Sequence, residues 1–299
     1  MTPTPRSFAT IALGLALGLA CAPKPATTEE PDGAGAGASA DAGIDEATRA
    51  AIEAALAGAH RSDKNRARDG ARHPLETLAF FGLRRDMTVV ELWPGGGGWY
   101  TEILAPVLRE GGKLIATNFD ASKVTDPNDY RARVSKSFAD KIAGDPALYD
   151  RVTVVTVDPP NPFVLAPAGS VDMVLTFRNS HGWIEDGMAP MVYKAAFDAL
   201  RPGGVLGVVQ HRAKADDARD PKALAETGYV REDYLVQTIE AVGFKLDAKS
   251  EVNANPKDTK DYEKGVWTLP PALTLGEVDK AKYEEIGESD RMTLRFVKP

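Results

Sequence analysis

The chain has a single cysteine, Cys21, in 299 residues. No disulfide can form within it, and a cysteine-based metal site is implausible. Its four histidines, His60, His73, His181 and His211, show no H-x-x-x-H spacing, which argues against zinc. No dense cluster of lysine and arginine occurs and the net charge is -7, so a nucleic-acid backbone is not an expected partner. The sequence has no G-x-x-x-x-G-K-[ST], which excludes a P-loop. It has no G-x-S-x-G elbow either, so a hydrolase built on His181 would have no clear triad partner. Internal repeats are absent, and the one long apolar run, Phe8 to Ala20, is too short to span a bilayer comfortably.

That apolar run is flanked by Arg6 and ends Gly18-Leu19-Ala20-Cys21. Residues 1–21 read as an export signal. Their end resembles a bacterial lipobox, although Gly18 stands where the pattern prefers leucine. The resemblance implies lipidation of Cys21, a membrane anchor and a periplasmic location; ordinary cleavage after a small residue is the alternative. Residues 22–43 carry no apolar side chain larger than alanine and cannot bury a core, so they are expected to be a flexible tether. Residues 44–299 then form one α/β domain, for which the ordinary apolar content is sufficient.

The domain is organised around Val89-Val90-Glu91-Leu92-Trp93-Pro94-Gly95-Gly96-Gly97-Gly98-Trp99-Tyr100. A short apolar run ending in an acid, a glycine cluster and a helical segment (Trp99 to Leu108) predict the first βα unit of a doubly wound sheet. Glycines there bring backbone N–H groups close to a ligand, and a helix N-terminus favours anionic groups. Gly95 and Gly97 supply two positions of a dinucleotide fingerprint, but Tyr100 replaces the third glycine. The remaining pattern, E-x-x-x-G-x-G over Glu91, Gly95 and Gly97, resembles the first motif of class I S-adenosylmethionine-dependent methyltransferases. Trp93 stands where that family usually has glycine and is expected to narrow the turn.

Later segments continue the sheet. Gly111 to Phe119 reads as the second strand, Arg151 to Val157 as the third, Ser170 to Phe177 as the fourth, Val205 to Gln210 as the fifth and Phe244 to Val252 as the sixth. Helices are expected at Ile44–Leu56, Leu75–Phe81, Tyr130–Ile142, Pro190–Leu200 and Arg231–Val242. Asn253 to Asp290 reads as an excursion, and Arg291 to Val297 alternates cleanly as a closing strand. The Leu200-Arg201-Pro202-Gly203-Gly204 entry to the fifth strand also resembles the family. The resemblance covers about Leu75 to the C-terminus and implies a mostly parallel seven-stranded sheet whose last strand is antiparallel. The Trp-Pro-Gly-Gly-Gly-Gly-Trp-Tyr turn and the Thr-Phe-Arg-Asn-Ser-His loop are similar to those of a group of predicted methyltransferases.

The family likeness implies that S-adenosylmethionine lies over the glycine turn, with contacts from Glu91, Pro94, Gly95, Gly96, Gly97, Tyr100 and Thr176. At the end of the second strand, where an acid usually takes the ribose hydroxyls, Asn118 is the positional match and Asp120 follows. Asp158, ending the third strand, is expected near the adenine. The fourth strand runs into Arg178-Asn179-Ser180-His181, at the edge where open α/β sheets bind ligands. His181 is the candidate base; Arg178 is expected to hold an anionic substrate and Asn179 to orient it. Arg68, Arg72 and His73, in the charged segment ahead of the first strand, are further candidates to reach a carboxylate. Two functions follow: methyl transfer to a small-molecule acceptor, or non-catalytic binding by an exported protein that kept the fold.

Overall fold

The computed structural model describes residues 44–299; Cys21 and the segments expected to be an export signal and a tether lie outside the described residues. Seven strands make one sheet: β1 (Thr88–Leu92), β2 (Lys113–Phe119), β3 (Thr153–Val157), β4 (Val171–Phe177), β5 (Leu200–His211), β6 (Lys245–Ser250) and β7 (Arg291–Val297). Their order is β3-β2-β1-β4-β5-β7-β6. Pairings from β3 to β5 are parallel, and β7 runs antiparallel between β5 and β6. This is the expected doubly wound α/β sheet with its antiparallel last strand.

Helices cover both faces. α1 (Glu46–Ala57), α2 (Asp63–Arg66), α3 (Asp69–Arg72) and α4 (Pro74–Phe81) precede the first strand. α5 (Thr101–Leu108) follows β1, then α6 (Tyr130–Gly144) and α7 (Pro146–Tyr149) follow β2. α8 (Ser180–Glu185) and α9 (Ala189–Ala199) lie between β4 and β5; α10 (Pro221–Ala225) and α11 (Glu232–Glu240) lie between β5 and β6; α12 (Lys280–Ile286) precedes β7. Strand alternation feeds two cores. Val90, Leu92, Val174, Leu206 and Val208 pack with Trp183, Val192, Tyr193, Leu235 and Ile239. Their neighbours Val89, Met173, Leu175 and Val209 pack on the opposite face with Ile52, Leu78, Phe81, Ile103 and Leu104. A central strand buried on both faces is apolar at consecutive positions, which is why β1 and β4 read as continuous apolar runs.

Three local expectations differ from the fold. β5 begins at Leu200 instead of Val205, because Leu200 already pairs with Val171 before a register shift. The helix after the glycine turn begins at Thr101, two residues later than expected, since Gly95 to Tyr100 form turns. Arg178 to Trp183, read as a loop, turns into the short α8.

Candidate functional site

The bend after β1 is pinned from both neighbouring strands. Trp93 has φ 45, Gly95 φ 72 and Gly98 φ 51. The Trp93 N–H donates to Thr117 Oγ1 of β2 at 2.8 Å. From the β4 side, Asn179 Nδ2 donates to the Leu92 carbonyl at 3.0 Å, and contacts the Trp93 carbonyl at 3.3 Å and Thr176 Oγ1 at 3.1 Å. Left-handed backbone at a residue with a Cβ costs about 1–2 kcal/mol. Glycine at this position would avoid that cost, so tryptophan stands here against backbone preference. Its indole makes edge contacts with Phe119 (5.9 Å), Phe163 (5.7 Å) and Trp183 (5.1 Å).

A cavity of about 650 Å³ opens at the carboxyl end of the sheet. It touches the residues that leave four strands: Trp93 after β1, Phe119 ending β2, Pro159 and Pro160 after β3, and Arg178, Asn179 and His181 after β4. Trp183, Trp267 and Tyr130 complete the aromatic wall. A smaller space of about 30 Å³, lined by Pro94, Gly95 and Asn118 among others, adjoins it, and Trp93, Phe119, Tyr130 and Asn179 border both. The indole therefore narrows the turn, yet leaves a cavity that reaches His181.

The expected site residues divide. Arg178, Asn179 and His181 line the large cavity; Pro94, Gly95 and Asn118 line the small space. Seven others line neither. Glu91 lies on the Val89 face of β1, is 1% exposed, and accepts a 2.7 Å hydrogen bond from Thr101 Oγ1. Burial raises its pKa to about 7, against smaller opposing effects of Thr101 and Lys141. The motif acid is thus an internal brace of the bend and not a cavity ligand. Tyr100 stacks on Phe177 with ring centroids 3.4 Å apart. Gly96 accepts from Ser137 Oγ at 3.0 Å, whereas a Cβ on Gly97 or Gly95 would meet nothing within 4 Å. Asp120 caps a turn through the Ser122 N–H (3.0 Å) and Oγ (2.6 Å), and Asp158 accepts from Asn161 at 2.9 Å. Thr176 is buried and serves Asn179. Asn118 is also held: its Nδ2 donates to the Ser135 carbonyl and its Oδ1 accepts from the Phe119 N–H, both at 3.0 Å. Both ends of its amide are engaged within the fold.

His181 sits among buried polar groups. Burial lowers its pKa to about 4, with Arg178 acting in the same direction, so the ring is neutral at pH 7. Gln210 Nε2 donates to the Gly228 carbonyl at 2.9 Å, which fixes that amide, and lies 3.4 Å from His181 Nδ1. A neutral imidazole carries its proton on one of its two ring nitrogens. The neutral imidazole therefore offers one donor and one acceptor nitrogen, and its lowered pKa makes it a weak base. His211, its ring centroid 5.8 Å away, is held well below the usual histidine range by burial and bonds Ser289 Oγ through Nδ1 at 2.5 Å. Trp267, in the excursion before β7, has its ring 5.9 Å from His181.

Arg68 and Arg72 do not reach the cavity lining; both bond Glu288, at 2.7 and 3.2 Å. Arg72 also stacks over the Trp99 ring, with its guanidinium carbon 4.6 Å from the centroid. His73, with φ 41, joins α3 to α4. The residues missed from sequence are mainly aromatic: Phe119, Tyr130, Trp183 and Trp267. Phe119, the last residue of β2, was the visible signal among them, since a strand's carboxyl end faces the ligand edge of an open sheet.

No protein-family model matches the sequence, and no curated protein sequence matches it. Solved structures do match. The [4+2]-cyclase SpnF is 16% identical with a TM-score of 0.50, over 85% of this chain and 93% of that one. A geranyl diphosphate methyltransferase in complex with SAM is 16% identical with a TM-score of 0.49, over 83% and 95%. A SAM-dependent methyltransferase from Aquifex aeolicus is 17% identical with a TM-score of 0.47, over 62% and 87%. At such identities the likeness is one of architecture alone: the chain shares with these proteins an α/β fold, here a mostly parallel seven-stranded sheet with an antiparallel β7.

Proposed function

We propose that the chain binds S-adenosylmethionine at the carboxyl edge of β1, β2 and β4 and transfers its methyl group to a small-molecule acceptor. The observation that carries this reading is the cavity of about 650 Å³ meeting the exits of four strands and ending at His181. Its volume lies within the usual range of small-molecule sites. Gly95 and Gly97 leave the backbone open to a ligand, and the aromatic walls suit a sulfonium through cation–π attraction. When bound, the cofactor supplies a methyl group on sulfur for in-line displacement, with a neutral thioether leaving. Asn179 holds the bend in register, and the aromatic rings exclude water from the reacting face. His181 donates its ring N–H to an acceptor oxygen or nitrogen, orienting a lone pair toward the methyl carbon. At a pKa of about 4 it removes few protons, so the acceptor is one that ionises readily or attacks before losing its proton.

Residues 1–21 direct export in this reading, Cys21 carries lipid, and residues 22–43 tether the domain to the membrane in the periplasm. A second reading, a non-catalytic exported binding protein, draws support from Trp93 in the glycine position and from Asn118, whose amide is engaged at both ends. Calorimetric titration of the full-length chain with S-adenosylhomocysteine separates the two. Saturable heat is expected; absence of heat and of any thermal shift removes the methyltransferase reading. Mass spectrometry of the mature N-terminus tests lipidation.

A further inference from the structure

Four guanidiniums converge on one carboxylate behind the cavity wall. Glu288 is met by Arg68 Nε at 2.7 Å, Arg291 Nη1 at 3.0 Å, Arg72 Nε at 3.2 Å and Arg178 Nη1 at 3.8 Å. Among the described residues no second carboxylate pairs with any of the four, so three positive charges are left in excess. Three members are well buried: the side chains of Arg72, Arg291 and Glu288 are 2%, 4% and 8% exposed. Arg72 Nη1 is buried without a hydrogen-bond partner. His181 and His211, nearby, are neutral and do not offset the charge.

Arg178 is where this excess meets the cavity. Its side chain is 24% exposed and belongs to the lining. Among the described residues its guanidinium makes no hydrogen bond, and the 3.8 Å approach to Glu288 is its only ion pair. Its backbone is left-handed, φ 64, with the N–H held by the Val209 carbonyl. Strain of this kind persists where the surroundings enforce a side-chain direction. Arg131, the other guanidinium in the lining, is already paired with Asp129, so it does not compete.

We infer that Arg178 is the docking point for an oxyanion, a carboxylate or phosphate, carried by the acceptor that enters the cavity beside the aromatic wall. The inference rests on the cavity being the acceptor site of the proposed methyl transfer. A planar fork of unpaired donors backed by surplus positive charge matches such a group in both geometry and sign. Glu288 keeps the other arginines in place but, at 3.8 Å, leaves the Arg178 fork free.

The test titrates the full-length chain with benzoate, its neutral counterpart benzamide and inorganic phosphate, each with and without saturating S-adenosylhomocysteine. Benzoate or phosphate is expected to bind in both states, the tighter of the two naming the group, and benzamide at least tenfold more weakly. Arg178→Gly suits the left-handed backbone, so the protein should stay folded. It is expected to lose the anion by about ten- to hundredfold while S-adenosylhomocysteine binds as before. Arg178→Lys should restore part of that affinity. Equal binding of benzoate and benzamide, or an Arg178→Gly variant that holds the anion unchanged, overturns the inference. It is also overturned if Arg178→Gly weakens S-adenosylhomocysteine and the anion competes with that compound, because the carboxylate read is then the cofactor's own. Anion discrimination without any S-adenosylhomocysteine binding keeps the oxyanion site and removes the methyltransferase reading.

Discussion

Glu91→Gln isolates the electrostatic consequence of putting the motif acid inside the fold. Glu91 is 1% exposed, and burial raises its pKa from 4.5 to about 7. An unfolded chain releases this proton near pH 4.5, whereas the folded chain keeps it to about pH 7. The stability that the protonated acid contributes is therefore complete below pH 4.5 and is lost as the pH rises to about 7. At about 1.4 kcal/mol per pKa unit, the whole loss is about 3 kcal/mol. Two neighbours of the site act in the opposite sense. His181, lowered from 6.5 to about 4, and His211, also lowered, cost stability as the pH falls below about 6.5. The raw pH profile thus mixes the two, and only the difference between wild type and variant reports Glu91. Urea unfolding at pH 5 and pH 8 supplies it. Glutamine keeps an oxygen to accept the Thr101 hydroxyl but does not ionise, so the variant should gain about 2–3 kcal/mol on the wild type between those pH values. A difference that does not change with pH would refute the placement of a protonated acid beneath the bend.

Three further outcomes bear on the site. Trp93→Gly relieves left-handed strain of about 1–2 kcal/mol, but removes edge contacts with three aromatic rings worth about 0.5–1.5 kcal/mol each. It should destabilise modestly in urea, join the small space to the large cavity and tighten S-adenosylhomocysteine; unchanged affinity in calorimetry would show that the indole does not restrict the site. Gly97→Val places a side chain where nothing lies within 4 Å, so the thermal midpoint should hold while S-adenosylhomocysteine heat disappears. His181→Ala should retain cofactor binding with slower turnover. His181→Gln, which keeps an N–H donor, should recover much of that turnover if the ring acts as donor, and none if it acts as base.

The sequence by itself determined the architecture and pointed to the candidate site. Local signals suffice for that: apolar runs at β1 and β4, glycine after β1, Pro202-Gly203-Gly204 at the entry to β5, and strict alternation in β7 all act over a few residues. Polar Arg178, Asn179 and His181 at the end of a central strand were legible for the same reason. What each side chain does there was decided by packing. Strand parity turned Glu91 under α5, where Thr101 meets it. The ends of the Asn118 amide were taken by a helix carbonyl and its own neighbour's N–H. Gln210, held by the Gly228 carbonyl, came to lie 3.4 Å from His181 Nδ1, and burial kept that ring neutral. Arg68, Arg72 and Arg178 meet Glu288 and Arg291 only because the chain segments before β1, after β4 and before β7 close on one another. Such long-range convergence leaves no periodic trace in sequence, since each residue's neighbours along the chain are indifferent to it, and only the folded arrangement creates the surplus charge beside the cavity.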